Sequence, residues 1–343
     1  MIMKISTILC LIIYSLNSSA ATQCSKLFVF DFFAHLPKQE DAKLFRTEKA
    51  FLDQVARTLE IDMSKVRLSA VKEGERPLFL PSTGEVKVIL TFDKVSVQDS
   101  SIIFSHEYTH SIFETYMRTR SLKWNNQWDF HTEANAKLWS LMDEFNALNS
   151  SSKPYEERIR LQDEISLQMK TLRPQVDLFL RRKNFVGFFR NSYHEFIADF
   201  LPVFFHENPK LISKSLAPLA PEPTDDMKLT LGWRSFDNKF NDVELSKWHQ
   251  QVESIYSFAH FYNPYDLLGP LRSWVGIKLL GQGYSAEQKL TIISKIFQVL
   301  QNDYDRRIDS ITKEPESFNP YEINATLFKA MEEAGVFRAS SAI

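Results

Sequence analysis

From about Val97 to its C-terminus the chain carries almost no strand signal, and this limits its fold more than any other feature. Any core built from that part must come from helices packed on helices. Apolar residues recur at helical spacing through 98–119, 131–148, 154–182 and 186–206. The β-prone part lies ahead of it. KLFVFDFF, 26–33, reads as a strand, and 40–61 reads as a helix through Phe45, Ala50, Phe51, Val55 and Leu59. PLFLPSTGEVKVILTF, 77–92, reads as a hairpin: a Pro-Ser-Thr-Gly turn joins two β-prone runs, with Val86, Val88, Leu90 and Phe92 on one face. The fold class implied is α+β, predominantly helical.

SKSLAPLAPEPTDDMK, 213–228, concentrates proline among polar residues and reads as a linker or loop. It separates a first domain, residues 22–212, from a C-terminal helical subdomain, residues 229–343. In the latter, Ser285 and Gln288 form a capping box ahead of Leu290, Ile293, Ile296, Phe297 and Leu300, and Gly335 stops a helix begun near Asn319. At the other end, Lys4, the short apolar run Ile5 to Leu16 and the small residues Ser18 to Ala21 read as a secretory signal peptide over residues 1–21. The mature protein is therefore expected outside the cytoplasm, secreted or periplasmic, with no transmembrane segment. Cys10 leaves with the signal and Cys24 stands alone, so an internal disulfide is not expected. Ala21, Thr22 and Gln23 make a poor lipobox before Cys24, which favours a free protein over a lipoprotein. Lysine and arginine number 41 against 43 acidic residues, without long blocks of either sign, so a nucleic-acid partner is not expected.

The helical run 98–119 contains SIIFSHEYTHSIFE, 101–114, in which His106, Glu107 and His110 spell H-E-x-x-H. Residues four apart lie one above the other on a helix, so both imidazoles can reach one ion, and Glu107 stands beside it. With zinc between the rings, an acidified water and a glutamate that takes its proton are the components of amide hydrolysis. Two histidines need a third protein ligand. Glu114 lies about 12 Å along the axis from His106, too far to share an ion. The longer H-E-x-x-H-x-x-G-x-x-H pattern fails at Phe113 and Tyr116. Glu133, perhaps with His131, and Glu195 remain. Glu195 has Asp199 one turn on, an acceptor for the second N–H of a ligand histidine, where Glu133 has Lys137, so Glu195 is preferred.

HEYTH followed by E-F-I-A-D resembles the gluzincin metallopeptidases, which carry H-E-x-x-H on one helix and E-x-x-x-D on the next. The E-x-x-A-D form is most similar to the HtpX-like members, although Thr109 stands where a glycine usually precedes the second histidine. The resemblance covers about residues 77–205, with the helices between 120 and 190 as an insertion. It implies a zincin-like catalytic domain with a small N-terminal sheet and an active-site helix. It also implies Zn2+ held by His106, His110 and Glu195, with Asp199 orienting a ligand histidine. The implied substrate is an extended peptide or protein laid along a sheet edge, for which the hairpin is the natural candidate. An oxyanion donor is expected from outside both motifs, and YSFAHFYNPYD, 256–266, is the best stretch. His260 and Tyr262 are the candidates chosen there; Tyr256, Tyr265, Tyr193 and His206 are also placed to serve. The function expected is an exported zinc metallopeptidase with Glu107 as general base. The alternative is a non-catalytic, zinc-stabilised binding or chaperone-like protein.

Overall fold

The computed structural model describes residues 32–36, 38–72, 75–93, 95–125, 133–219, 225–257, 264–313 and 319–337. The expected signal peptide, Cys24 and residues 26–31 of the first expected strand lie outside these; Phe32 and Phe33, which close that strand in the sequence reading, instead begin a 3-10 turn, Phe32–His35. By packing, the chain falls into two compact units, Met1–Arg46 and Thr47–Ile343. In the first, Phe33 stacks on Phe45 with ring centroids 5.0 Å apart. The metal cluster described below belongs wholly to the second.

Among the described residues, ten α-helices and one small sheet alternate with short connections. Helix α1 spans Gln39–Thr58 and crosses the division between the units. Strands β1 (Arg67–Ala70), β2 (Leu78–Leu80) and β3 (Glu85–Val88) follow, in the order β1-β3-β2. β2 and β3 are the expected hairpin, antiparallel with Phe79 opposite Val86. Val86 and Val88 are buried while Glu85 and Lys87 are not, so the alternation holds through β3. Leu90 and Phe92 lie beyond the strand. The turn ends on Gly84 at φ 64°, where an added Cβ would stand 3.0 Å from the Lys65 carbonyl oxygen, so glycine is required. β1 is an addition to the sequence reading; it pairs with β3 in parallel.

Helix α2, Val97–Arg120, carries the H-E-x-x-H motif. It begins at Ser96, whose Oγ accepts the Asp99 N–H at 3.0 Å and donates to the Asp99 carboxylate at 2.6 Å. Asp99 in the first turn and Arg118 and Arg120 in the last complement the helix dipole. The sequence predicts one buried stripe. In the structure α2 is buried around its circumference, because Ser100, Ser101, Ser105, Thr109 and Ser111 alternate with Ile102, Ile103, Phe104, Ile112 and Phe113. These small residues survive burial by bonding to carbonyls: Ser100 to Ile89 at 2.7 Å, Thr109 to Ser105 at 2.7 Å and Ser111 to Tyr108 at 2.6 Å.

Helix α3 is Glu133–Asn149, and α4 is a single helix of 52 residues, Tyr155–His206, where the sequence predicts two. A break near residue 184 would leave the terminal N–H and C=O groups of two helices to be capped, and continuity spares them. At about 1.5 Å per residue α4 runs close to 78 Å. Its last turns pack along α2, and the start of α4 packs against α3. Most of the expected 213–228 loop is helical: α5 spans Leu211–Leu216, Ala217–Leu219 form a 3-10 turn, and α6 spans Asp225–Trp233, with 220–224 outside the described residues. Helices α7 (Asp242–Ser257), α8 (Gly269–Leu279), α9 (Ala286–Lys313) and α10 (Pro320–Glu333) complete the fold. The capping box is present, with Ser285 N–H bonded to Gln288 at 2.8 Å and Gln288 N–H to Ser285 Oγ at 3.2 Å. Asn319 caps α10, and Gly335 at φ 68° ends it. None of the described helices is long and apolar enough to cross a membrane.

Candidate metal centre

α2 contributes His106, Glu107 and His110, and α4 contributes Glu195 and Asp199. Because α2 and the end of α4 lie side by side, residues 85 or more positions apart meet. The Nε2 atoms of His106 and His110 are 3.1 Å apart. Glu195 Oε2 lies 3.4 Å from His106 Nε2, and Oε1 lies 3.6 Å from His110 Nε2. Three donors on one tetrahedral zinc, each about 2.05 Å from it, would be separated by about 3.3 Å. These residues therefore fit a metal ion of that size. Glu195 Oε2 is buried and receives no hydrogen bond, and besides the rings it has the Arg234 guanidinium 3.7 Å away as an ion-pair partner. Among the described residues this is the one group of three His, Cys, Asp or Glu side chains so placed.

The charges around the cluster favour a cation between the rings. Burial works against a proton on His106, but Asp199 and Glu195 outweigh it and raise the ring to about 9. Burial takes His110 down to about 3, which leaves a neutral imidazole. Glu195 is lowered to about 2, since the histidines and Arg234 overcome its desolvation.

Asp199 is fully buried. Its Oδ1 lies 3.2 Å from His106 Nδ1, as the carboxylate of an ion pair. Arg234 donates to both its oxygens, at 2.5 and 3.1 Å, and Arg272 donates to Oδ2 at 3.0 Å. Desolvation would raise this carboxyl, yet the two guanidiniums and His106 hold it far below the ordinary range. Both arginines are themselves buried, and the sequence reading named neither.

A second carboxylate lies behind His110. Its Nδ1 is 3.4 Å from Nδ1 of His194, whose Nε2 is 3.0 Å from Glu114 Oε2. Glu114 thus stays out of the metal cluster, as its distance along α2 requires, but it is tied to it through His194. Arg190 donates to both Glu114 oxygens at 2.8 and 2.9 Å, Arg118 at 2.5 Å and the Trp124 indole at 3.1 Å. The sequence carried a faint signal for both residues: His194 precedes Glu195, and Glu114 follows His110 by one turn.

Glu107 accepts the Phe79 N–H at 2.8 Å. Burial pushes its carboxyl up to about 7, with the Glu195 charge adding and His106, Phe79 and Arg234 opposing. Phe79 sits on β2, the edge of the sheet, and turns its N–H away from β3. Pro77 and Pro81, two positions to either side, have no N–H, so an extended peptide laid along that stretch finds carbonyls but no further backbone donor.

His260 and Tyr262 lie outside the described residues, and the side chain of Tyr256 is likewise not described. From the same stretch, Tyr265 lies beside the centre. The Arg234 guanidinium carbon is 4.1 Å from its ring centroid, and the charge on Glu195, followed by burial, raises its hydroxyl above the ordinary range. The other candidates are engaged elsewhere: Tyr193 donates to Asp303, and His206 is 2.5 Å from Glu48. What the fold and these residues define is a His-His-Glu centre, its histidines buried and its glutamate partly exposed, set between two helices and able to hold a metal ion. No family model, curated protein or solved structure matches the chain.

Proposed function

We propose that the chain is a zinc-dependent metallopeptidase of the gluzincin kind, acting on peptides or unfolded protein outside the cytoplasm. One observation carries this reading. The E-x-x-x-D motif lies against the H-E-x-x-H motif in space, and the distances support the reading: Glu195 is 3.4 and 3.6 Å from the two Nε2 atoms, and Asp199 is 3.2 Å from Nδ1 of His106. Zinc, held by His106, His110 and Glu195, would supply a Lewis acid for a carbonyl oxygen and a water acidic near neutral pH. Glu107 would take the proton given up as the water oxygen bonds to the carbonyl carbon and would deliver it to the amine as the C–N bond breaks. The Phe79 amide holds one oxygen of Glu107, Oε2, and leaves Oε1 for the proton. Among the described residues Tyr265 is the candidate donor to the developing oxyanion, because its ring stacks on Arg234 and its hydroxyl feels the charges of Glu195 and Glu107. Arg234, stacked on the Tyr265 ring and bonded to Asp199, joins that donor to the metal side of the site.

A second reading, a non-catalytic exported protein that uses zinc to tie α2 to α4, is favoured by one observation: in accepting the Phe79 amide, Glu107 has a structural use. The variant Glu107→Gln tests both. The amide keeps the shape and an acceptor for Phe79, so zinc and the fold should be retained while cleavage of a peptide library falls by about 100-fold or more. Turnover within about tenfold of the parent would remove Glu107 as the base. A parent protein with one zinc and no cleavage would favour the second reading.

A further inference from the structure

We infer that His194 and Glu114 position His110, fixing which of its nitrogens faces the metal. The inference rests on the zinc reading of the His106, His110 and Glu195 cluster and goes beyond it, because neither residue belongs to either motif. A histidine that gives Nε2 to a metal must carry its proton on Nδ1, and that N–H needs an acceptor. For His106 the group in place is Asp199. For His110 it is another histidine, buried like its partner, and the pair alone leaves each tautomer undecided.

Glu114 decides it. Its carboxylate is ionised and accepts only, because Arg190 and Arg118 donate to it and together offset its charge. His194 Nε2, 3.0 Å away, must therefore be the donor. With a metal on its Nε2, His110 carries its proton on Nδ1, and His194 Nδ1, 3.4 Å away, accepts it while His194 Nε2 donates to Glu114, so that Nε2 of His110 turns its lone pair toward His106 Nε2 and Glu195. Packing holds the intermediate ring in place: His194 meets Phe113 edge-on at 5.0 Å and lies 5.4 Å from Trp124, on which Arg190 rests at 4.1 Å. The two histidine ligands are thus backed alike, each by a carboxylate that two arginines neutralise, directly for His106 and through one more ring for His110.

The test uses the purified full chain as parent, His194→Phe, His194→Asn and Glu114→Gln. Zinc affinity is read by competition with a chelator, and site geometry by the visible spectrum after Co(II) substitution. Phenylalanine keeps the ring and removes both nitrogens, so zinc should bind about 10- to 100-fold more weakly, with an altered Co(II) spectrum. Asparagine places an amide oxygen near the position of Nδ1 and should restore most of the affinity and the parent spectrum. Glu114→Gln should shift the spectrum in the direction of His194→Phe, and it carries the test if the phenylalanine variant fails to fold. His194→Phe, or failing that Glu114→Gln, with parent affinity within about threefold and an unchanged spectrum would overturn the inference. A parent that binds no zinc would overturn the metal reading, and the inference with it, so the two failures are told apart by the parent alone.

Discussion

Asp199 serves two purposes: it stands behind His106, and it is the carboxylate that keeps Arg234 and Arg272 in the interior. Removing the acceptor of a ligand histidine typically costs about 10- to 100-fold in metal affinity. Removing one partner of a buried ion pair costs about 3–5 kcal/mol, since the other charge stays behind without compensation. Asp199→Ala should therefore be expensive twice, lowering zinc affinity and also destabilising the metal-free protein. Asp199→Asn keeps the shape and an acceptor and should lose less of both. Urea midpoints of the metal-free proteins and zinc affinities separate the two effects. A metal-free Asp199→Ala as stable as the parent would show that the arginines do not depend on it. Only the first purpose is legible in E-F-I-A-D, because the acceptor lies one turn from the ligand on the same helix, whereas the arginines come from 35 and 73 positions away.

At the scale of elements the site is a meeting of two helices, α2 and the last turns of α4. Two of the side chains able to hold a metal sit on one and the third on the other, so an ion held there would tie segments that are far apart in the chain. A ligand that binds the folded state alone stabilises it by about 4 kcal/mol at a thousandfold excess over its Kd. For a chain of this size that corresponds to a melting-temperature difference of about 5 °C. Chelation of the zinc-loaded protein should lower the melting temperature by that order, and returning zinc should restore it. A melting temperature that does not change on chelation would mean that no ion bridges the helices. The hairpin reaches the same place by another route, through the Phe79 amide on Glu107.

At the scale of the whole molecule, the C-terminal third takes part in the site. Arg272 lies at the start of α8 and is completely buried, yet it bonds Asp199 and the Tyr265 carbonyl oxygen. Arg272→Met, which keeps much of the bulk and removes the charge, should cost about 3 kcal/mol and weaken zinc binding although it touches no ligand. Parent-like stability and affinity would detach α8 from the centre. The sequence by itself determined whatever depends on local period: His106, Glu107 and His110 on one face, Glu195 and Asp199 one turn apart, the hairpin, and the capped helices after Ser285 and Asn319. Each of these is set by contacts within a few residues, so composition and spacing carry it. The parallel pairing of β1 was not legible in four residues of ordinary composition. Nor does local pattern say which two of the 41 lysines and arginines are desolvated against Asp199, or that His194 faces His110 across 84 positions. Those pairings exist because packing α2 against α4 removes water from groups that must then find one another, and that selection is made by the tertiary structure.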